Sequence, residues 1–146
     1  MTELLRIEDL QVHFQARKGL IGTIPVKALD GVSLTLDKGE TLAVVGESGS
    51  GKTTLGRAAL RLLKPTSGRI FFDGEDVTNL PDSKLKEFRR RAQGVFQDPY
   101  SSLDAFMNVS QILEEPLAIH GIGSARERTE MIHQVLQDVR LSPVEE

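Results

Sequence analysis

The chain has 146 residues, no cysteine, and 18 basic against 21 acidic side chains, for a formal charge of −3. That length suits about one modest domain. The lack of cysteine excludes disulfides and thiolate metal sites, and the charge offers no broad basic surface to nucleic acid.

His13, His120 and His133 have no ligand-like spacing. No apolar run approaches the roughly 20 residues needed to cross a bilayer, and Met1-Thr-Glu-Leu-Leu-Arg6 lacks the basic and apolar regions of a signal peptide. A cytoplasmic chain is expected, so any membrane role would come through a partner.

Residues 4–14 predict a strand, with Leu10, Val12 and Phe14 alternating against Gln11 and His13. Residues 15–25, with Gly19, Gly22 and Pro25, predict a loop. Val32, Leu34 and Leu36 alternate with Ser33 and Thr35 as a second strand, and Lys38-Gly39 makes a turn. Thr41-Leu-Ala-Val-Val45 is continuously apolar, as expected of a strand covered on both faces.

That strand enters Gly46-Glu47-Ser48-Gly49-Ser50-Gly51-Lys52-Thr53-Thr54, which fits the Walker A pattern G-x-x-x-x-G-K-[ST]. A helix-forming segment, Leu55 to Leu63, follows it. In this setting backbone N–H groups of the turn converge on an anion, and the helix N-terminus adds the positive end of its dipole. Gly46 and Gly51 allow a tight turn and close approach to phosphate oxygens. Lys52 is expected to pair with the β- and γ-phosphates. Thr53 is expected to offer its hydroxyl to Mg²⁺, which prefers hard oxygen ligands, and Thr54 to reach the α-phosphate or cap the helix. The loop therefore predicts a nucleoside triphosphate with Mg²⁺, without naming the reaction.

Lys64-Pro-Thr-Ser-Gly68 breaks the chain. Arg69-Ile-Phe-Phe-Asp73 reads as a short strand closing on an Asp73-Gly74 hairpin turn, which argues against a Walker B strand ending in carboxylates. Asp82 or Ser83 is expected to cap a helix with Leu85, Phe88 and Ala92 on its apolar face. Its basic run, Lys84, Lys86, Arg89, Arg90 and Arg91, reads as a solvated face, with contact with a partner subunit as the alternative. Gly94-Val-Phe-Gln97 suggests a brief strand. Asn108 with Gln111 has N-cap and N3 spacing, and Pro116 is expected to bend or end the helix that follows. Ser124 with Glu127 forms a capping box ahead of an apolar face of Met131, Ile132, Val135, Leu136 and Val139.

Beyond the phosphate loop, five stretches carry a family resemblance: Ala28-Leu-Asp-Gly-Val-Ser33, Lys38-Gly-Glu-Thr41, Val45 to Thr54, Leu62-Leu-Lys-Pro-Thr-Ser-Gly68, and Val95-Phe-Gln-Asp-Pro-Tyr-Ser-Ser-Leu103. Together they resemble the first half of an ABC-transporter nucleotide-binding domain, in particular the ATPases of oligopeptide and dipeptide importers. The resemblance implies an α/β P-loop NTPase fold of ABC type, incomplete in this chain. Residues 1–40 would supply strands of the β subdomain, 41–105 the P-loop core through the Q-loop, and 106–146 the start of the helical subdomain.

By the same resemblance, Gln97 matches the Q-loop glutamine, which contacts Mg²⁺ and the attacking water and links the ATP site to the membrane partner. Phe14 matches the position where an aromatic ring stacks on adenine, although it also continues the alternating core face of its strand. ATP and Mg²⁺ are the implied cofactors. Transmembrane permease subunits, a second ABC ATPase subunit and, indirectly, an extracytoplasmic solute-binding protein are the implied partners, with the chain peripheral on the inner face of the cell membrane. Nucleic acid is not expected as a partner. A non-transport ABC-type ATPase and an ATP-binding module without catalysis stand as alternatives.

Two departures from the family pattern stand out. Leu103-Asp-Ala-Phe-Met-Asn-Val109 lacks the usual proline, and no LSGGQ signature, Walker B aspartate and glutamate, D-loop or switch histidine occurs in the 146 residues. Phosphoryl transfer relies on positioning and charge stabilisation, so this chain alone is expected not to turn over ATP. With the apolar strand 41–45 lacking its parallel neighbours, it is also expected to be aggregation-prone or partly molten in isolation.

Overall fold

A computed structural model of the chain describes residues 2–17, 22–98 and 103–141. The chain divides into two compact units, 1–93 and 94–146.

The first unit is built on a four-stranded antiparallel sheet, ordered β2-β1-β3-β4. Its strands are β1 (Glu3–Arg17), β2 (Thr23–Asp37), β3 (Ser67–Phe72) and β4 (Glu75–Asp76). The strands β1 and β2 run well beyond the expected ends, so the predicted loop over 15–25 is mostly ladder. Gln15 faces Pro25 and Arg17 faces Thr23. Proline is tolerated there because β2 is an edge strand, whose outward positions need no N–H donor. Gly19 lies outside the described residues.

A bulge in β1 sets which residues enter the core. The register shifts between Ile7 and Leu10, and Asp9 takes a left-handed φ of 46°. Strand side chains alternate with period two, so the shift moves the buried set from odd to even numbers. Ile7, Leu10 and Val12 are all buried as a result. They pack with Leu29, Ile70 and Val77 and with two helices, α1 (Lys52–Ala59) through Leu55 and Ala58, and α2 (Leu85–Arg91) through Leu85 and Phe88. Phe88 meets Phe72 edge to face at 5.1 Å between ring centroids.

Other expectations for this unit divide. The Asp73-Gly74 turn is a hairpin, with Phe72 opposite Glu75 and Phe71 opposite Asp76, so the carboxylates there belong to β4 and its turn. Helix α2 begins later than predicted: Lys84 is its N-cap without a side-chain cap, and Asp82 instead accepts a hydrogen bond from Arg89 at 2.6 Å. Helix α1 is shorter than the expected 55–63 at its far end, because Arg61 adopts a left-handed φ of 53° and closes the last turn.

The segment 41–45 is not a strand. No described strand pairs with it, and an isolated extended segment has no ladder to join. Leu42, Val44 and Val45 are exposed, Val45 by 89%. They form an uncovered apolar run of the kind that promotes association.

Asp73 ties three elements of the unit together. Its carboxylate pairs with Lys38 at 2.6 Å, on the turn after β2, and with Arg91 at the end of α2. The hydrogen bonds from Lys38 and then Arg91 hold its carboxyl below the ordinary aspartate value. A carboxyl depressed on folding contributes stability above its unfolded pKa of about 3.9, and that contribution is lost as pH falls through the lower folded value. Asp73→Asn is therefore expected to lower the urea midpoint slightly at pH 7 and to flatten its decline below about pH 4. Parallel pH profiles of the two proteins would remove Asp73 from this role.

The second unit holds α3 (Val109–His120) and α4 (Ala125–Asp138). Both predicted capping boxes form, Asn108 with Gln111 and Ser124 with Glu127. Pro116 does not end α3, which continues to His120. Arg128 of α4 pairs with Glu114 of α3 at 3.0 Å. On α4 only Ile132 and Leu136 of the predicted apolar face are buried, while Met131, Val135 and Val139 remain exposed. The predicted strand 94–97 is likewise unpaired.

Candidate functional site

The phosphate loop forms around Lys52. From the first turn of α1 its ammonium reaches back across the loop and donates to the Gly46 carbonyl at 2.7 Å, the Glu47 carbonyl at 2.6 Å and the Ser50 hydroxyl at 3.3 Å. The Ser50 N–H donates to the Glu47 carbonyl at 3.2 Å, closing the turn. The loop thus encircles a positive charge, which holds its shape and presents a cation where an anion would enter.

Gly51 is the hinge into the helix. Its φ is 95°, and a Cβ there would lie 2.6 Å from the Ala28 carbonyl oxygen and 3.1 Å from Leu29 Cδ2. Only glycine fits between the loop and β2. Gly49 also has a left-handed φ, of 82°, in the same turn.

The helix entrance is open to an anion. Gly51 caps α1 without a side-chain hydrogen bond, and no acidic residue occupies the first turn. The first N–H groups of a helix have no partner within it, and among the described residues no side chain accepts from those of Lys52, Thr53 and Thr54. Thr54 is inside the first turn, which removes its predicted alternative as the cap. Thr53 is exposed, and its hydroxyl has no hydrogen-bond partner among the described residues. An exposed, uncommitted hydroxyl is a free hard-oxygen donor, while the neighbouring ammonium and uncapped helix end favour an anion. Among the described residues, no group of three His, Asp or Glu side chains is placed to hold a metal alone.

Phe14 belongs to the same unit. It pairs with Val26 across β1 and β2 and is 43% exposed, unlike Leu10 and Val12 on the same strand. The alternating pattern that would have made it core ends before it. Gln97 is exposed and lies in the second unit, and residues 99–102 of the predicted Q-loop fall outside the described residues. The holding of Lys52 by the Gly46 and Glu47 carbonyls had no signal in the sequence, because peptide orientation does not depend on residue type there.

A glycine turn wrapped on a lysine, ahead of an uncapped helix and beside an antiparallel sheet, defines a P-loop nucleotide-binding protein. The chain belongs to the ABC transporter family, whose profile matches residues 29–146. It is 46% identical to the oligopeptide transport ATP-binding protein AppF of Bacillus subtilis, over 96% of this chain and 44% of that protein. It is also 46% identical to a putative peptide import ATP-binding protein of Brucella ovis, over 97% of this chain and 43% of that protein. The chain thus spans less than half the length of these curated relatives. Among solved structures, the ATP-binding cassette MJ0796, dimeric in a post-hydrolysis state with ADP and Pi, matches with a TM-score of 0.78 and 27% identity. That match covers 97% of this chain and 60% of the other. The structure accordingly represents part of an ABC ATPase domain. No described helix is long and apolar enough to cross a membrane.

Proposed function

We propose that this chain is the nucleotide-binding front part of the ATP-binding subunit of a peptide importer, in which ATP hydrolysis is coupled to uptake of peptides or a related small solute. The observation that carries the reading is the Lys52 ammonium held on the Gly46 and Glu47 carbonyls at an uncapped helix entrance. The relatives named as peptide import proteins supply the substrate class.

In this reading Lys52 donates to the β- and γ-phosphates of ATP. The amides of residues 46–54, including those of Glu47, Ser48, Gly49 and Ser50, surround the phosphate chain. Thr53, with Gln97, would hold Mg²⁺, which when bound withdraws charge from the phosphate oxygens. Phe14 offers an exposed aromatic face to adenine. Gln97, a neutral amide, orients water without adding charge. The three-part division at residues 40/41 and 105/106 belongs to the same reading.

Hydrolysis would require the signature and Walker B elements, which this chain lacks, so turnover belongs to the whole protein. Its partners would be transmembrane permease subunits and a second ATPase subunit, with solute delivered by an extracytoplasmic binding protein. The subunit would sit on the inner face of the cell membrane.

The test is Gln97→Ala in the full-length protein. Nucleotide affinity is expected to stay within about twofold, while transport-coupled hydrolysis falls by about tenfold or more. Unchanged transport would remove Gln97 from the mechanism. Cosedimentation with ribosomes in place of membrane permease subunits would overturn the transport reading.

A further inference from the structure

A second cationic site lies at the opposite end of α1 from the phosphate loop. The helix closes in a Schellman arrangement: the Arg61 N–H donates to the Ala58 carbonyl and the Leu62 N–H to the Arg57 carbonyl, each at 2.9 Å. The residue at this left-handed position is usually glycine. Here it is Arg61, with φ 53°. Its side chain is turned inward, is only 7% exposed, and donates through Nε to the Val77 carbonyl at 2.8 Å. A backbone strain and a buried cation thus coincide at one residue.

Arg61 lines a cavity of about 450 Å³ together with Lys64, Arg89, Asp82, Leu62 and Leu80. Three cations face it and one carboxylate. Asp82 pairs with Arg89 at 2.6 Å, an ion pair that solvent screens because the Asp82 side chain is 85% exposed, whereas Arg61 and Lys64 have no carboxylate partner among the described residues. Burial and then the Arg89 guanidinium pull the Arg61 pKa down, while Asp82 opposes them more weakly. Two guanidinium groups therefore repel one another in a partly dry setting. Arg89 Nε is buried and has no hydrogen-bond partner among the described residues. Buried donors without acceptors are uncommon, and a guanidinium matches the oxygens of phosphates and carboxylates.

We propose that this cavity is an oxyanion site for a small organic anion bearing phosphate or carboxylate groups, separate from the nucleotide loop. Arg61 and Arg89 are its main donors, and Lys64 adds charge. The volume falls in the range of small-molecule sites and exceeds what a lone inorganic phosphate fills. Leu62 and Leu80 suit the carbon skeleton of such a ligand. The site draws on neither the nucleotide loop nor the transport reading.

The experiment follows leucine methyl resonances of the full-length protein during titration with glycerol 3-phosphate, citrate and inorganic phosphate at constant ionic strength. Saturable shifts of Leu62 and Leu80 with one or both organic anions are expected. The responding anion distinguishes phosphate from carboxylate recognition. Arg61→Gly retains a residue suited to the left-handed position and removes the guanidinium, and it should weaken binding at least tenfold. Arg89→Gln, at a partly exposed position, should do the same without touching the helix end. Three outcomes would overturn the proposal: no saturable shift with either organic anion, shifts confined to residues 46–54, or equal affinity in both variants and wild type.

Discussion

Lys52→Ala is expected to remove most nucleotide binding, with affinity for ATP or ADP falling by about 100-fold or more. Hydrogen bonds to charged groups contribute about 1.5–3 kcal/mol each, and an ammonium shared by two phosphates makes at least two. The structure adds a second reason. The three ammonium donors of Lys52 hold Gly46, Glu47 and Ser50, so donation to phosphate would exchange for some of these bonds, and loss of the side chain also releases the loop from its shape. The effect should therefore exceed that of neutralising a surface lysine. Titration calorimetry or a fluorescent nucleotide would measure it, and equal affinity in variant and wild type would reject the assignment of the loop. Thermal melting of the two nucleotide-free proteins separates lost binding from lost folding.

Gly68→Ala is expected to be the most damaging single-methyl change in the first unit. Gly68 has φ 90°, and a Cβ there would lie 2.5 Å from the Asp9 carbonyl oxygen, 2.6 Å from Leu10 Cα and 2.7 Å from the Glu8 carbonyl oxygen. All three are backbone atoms of the bulge in β1, so no side-chain rotation relieves the contact. Left-handed strain and overpacking each cost about 1–3 kcal/mol, and together they should destabilise the unit by about 3 kcal/mol or more. Domains of this size are stable by only about 5–15 kcal/mol, so soluble yield and denaturant midpoint should both fall sharply. A wild-type midpoint would mean that β1 and β3 do not cross this closely. By contrast, a Cβ at Gly74, in the β3–β4 turn, would meet nothing within 4 Å, and alanine there carries the backbone strain alone.

Local signals carried far where the physics is local. The Asn108–Gln111 and Ser124–Glu127 boxes were readable because each cap closes within four residues. The Asp73-Gly74 hairpin was readable because its turn imposes left-handed backbone on both residues, φ 50° and 83°. The glycine turn into α1 was readable because its fixed positions have local reasons, a steric one at Gly51 and a charge at Lys52. Apolar runs were misleading wherever burial depends on a neighbour. Residues 41–45 and 94–97 have the composition of strands, yet pairing is not a property of composition. Met131, Val135 and Val139 have helical periodicity and still face solvent. Phe14 has the alternation of a core residue and remains accessible.

The residue order was enough to specify a glycine-rich turn ahead of a helix, its lysine, the glycines it needs and the family to which the chain belongs. Each follows from contacts over a few residues or from a pattern spread along the chain. Three features depended on the folded arrangement. The bulge at Asp9 shifts the buried face of β1, and Gly68 of the neighbouring β3 lies against it. The carbonyls of Gly46 and Glu47 turn inward onto Lys52. Arg61 swings beneath the end of α1 to meet Val77, sixteen residues away. All three join groups that chain connectivity leaves apart, and distance in sequence does not encode the direction in which a backbone oxygen or a buried cation points.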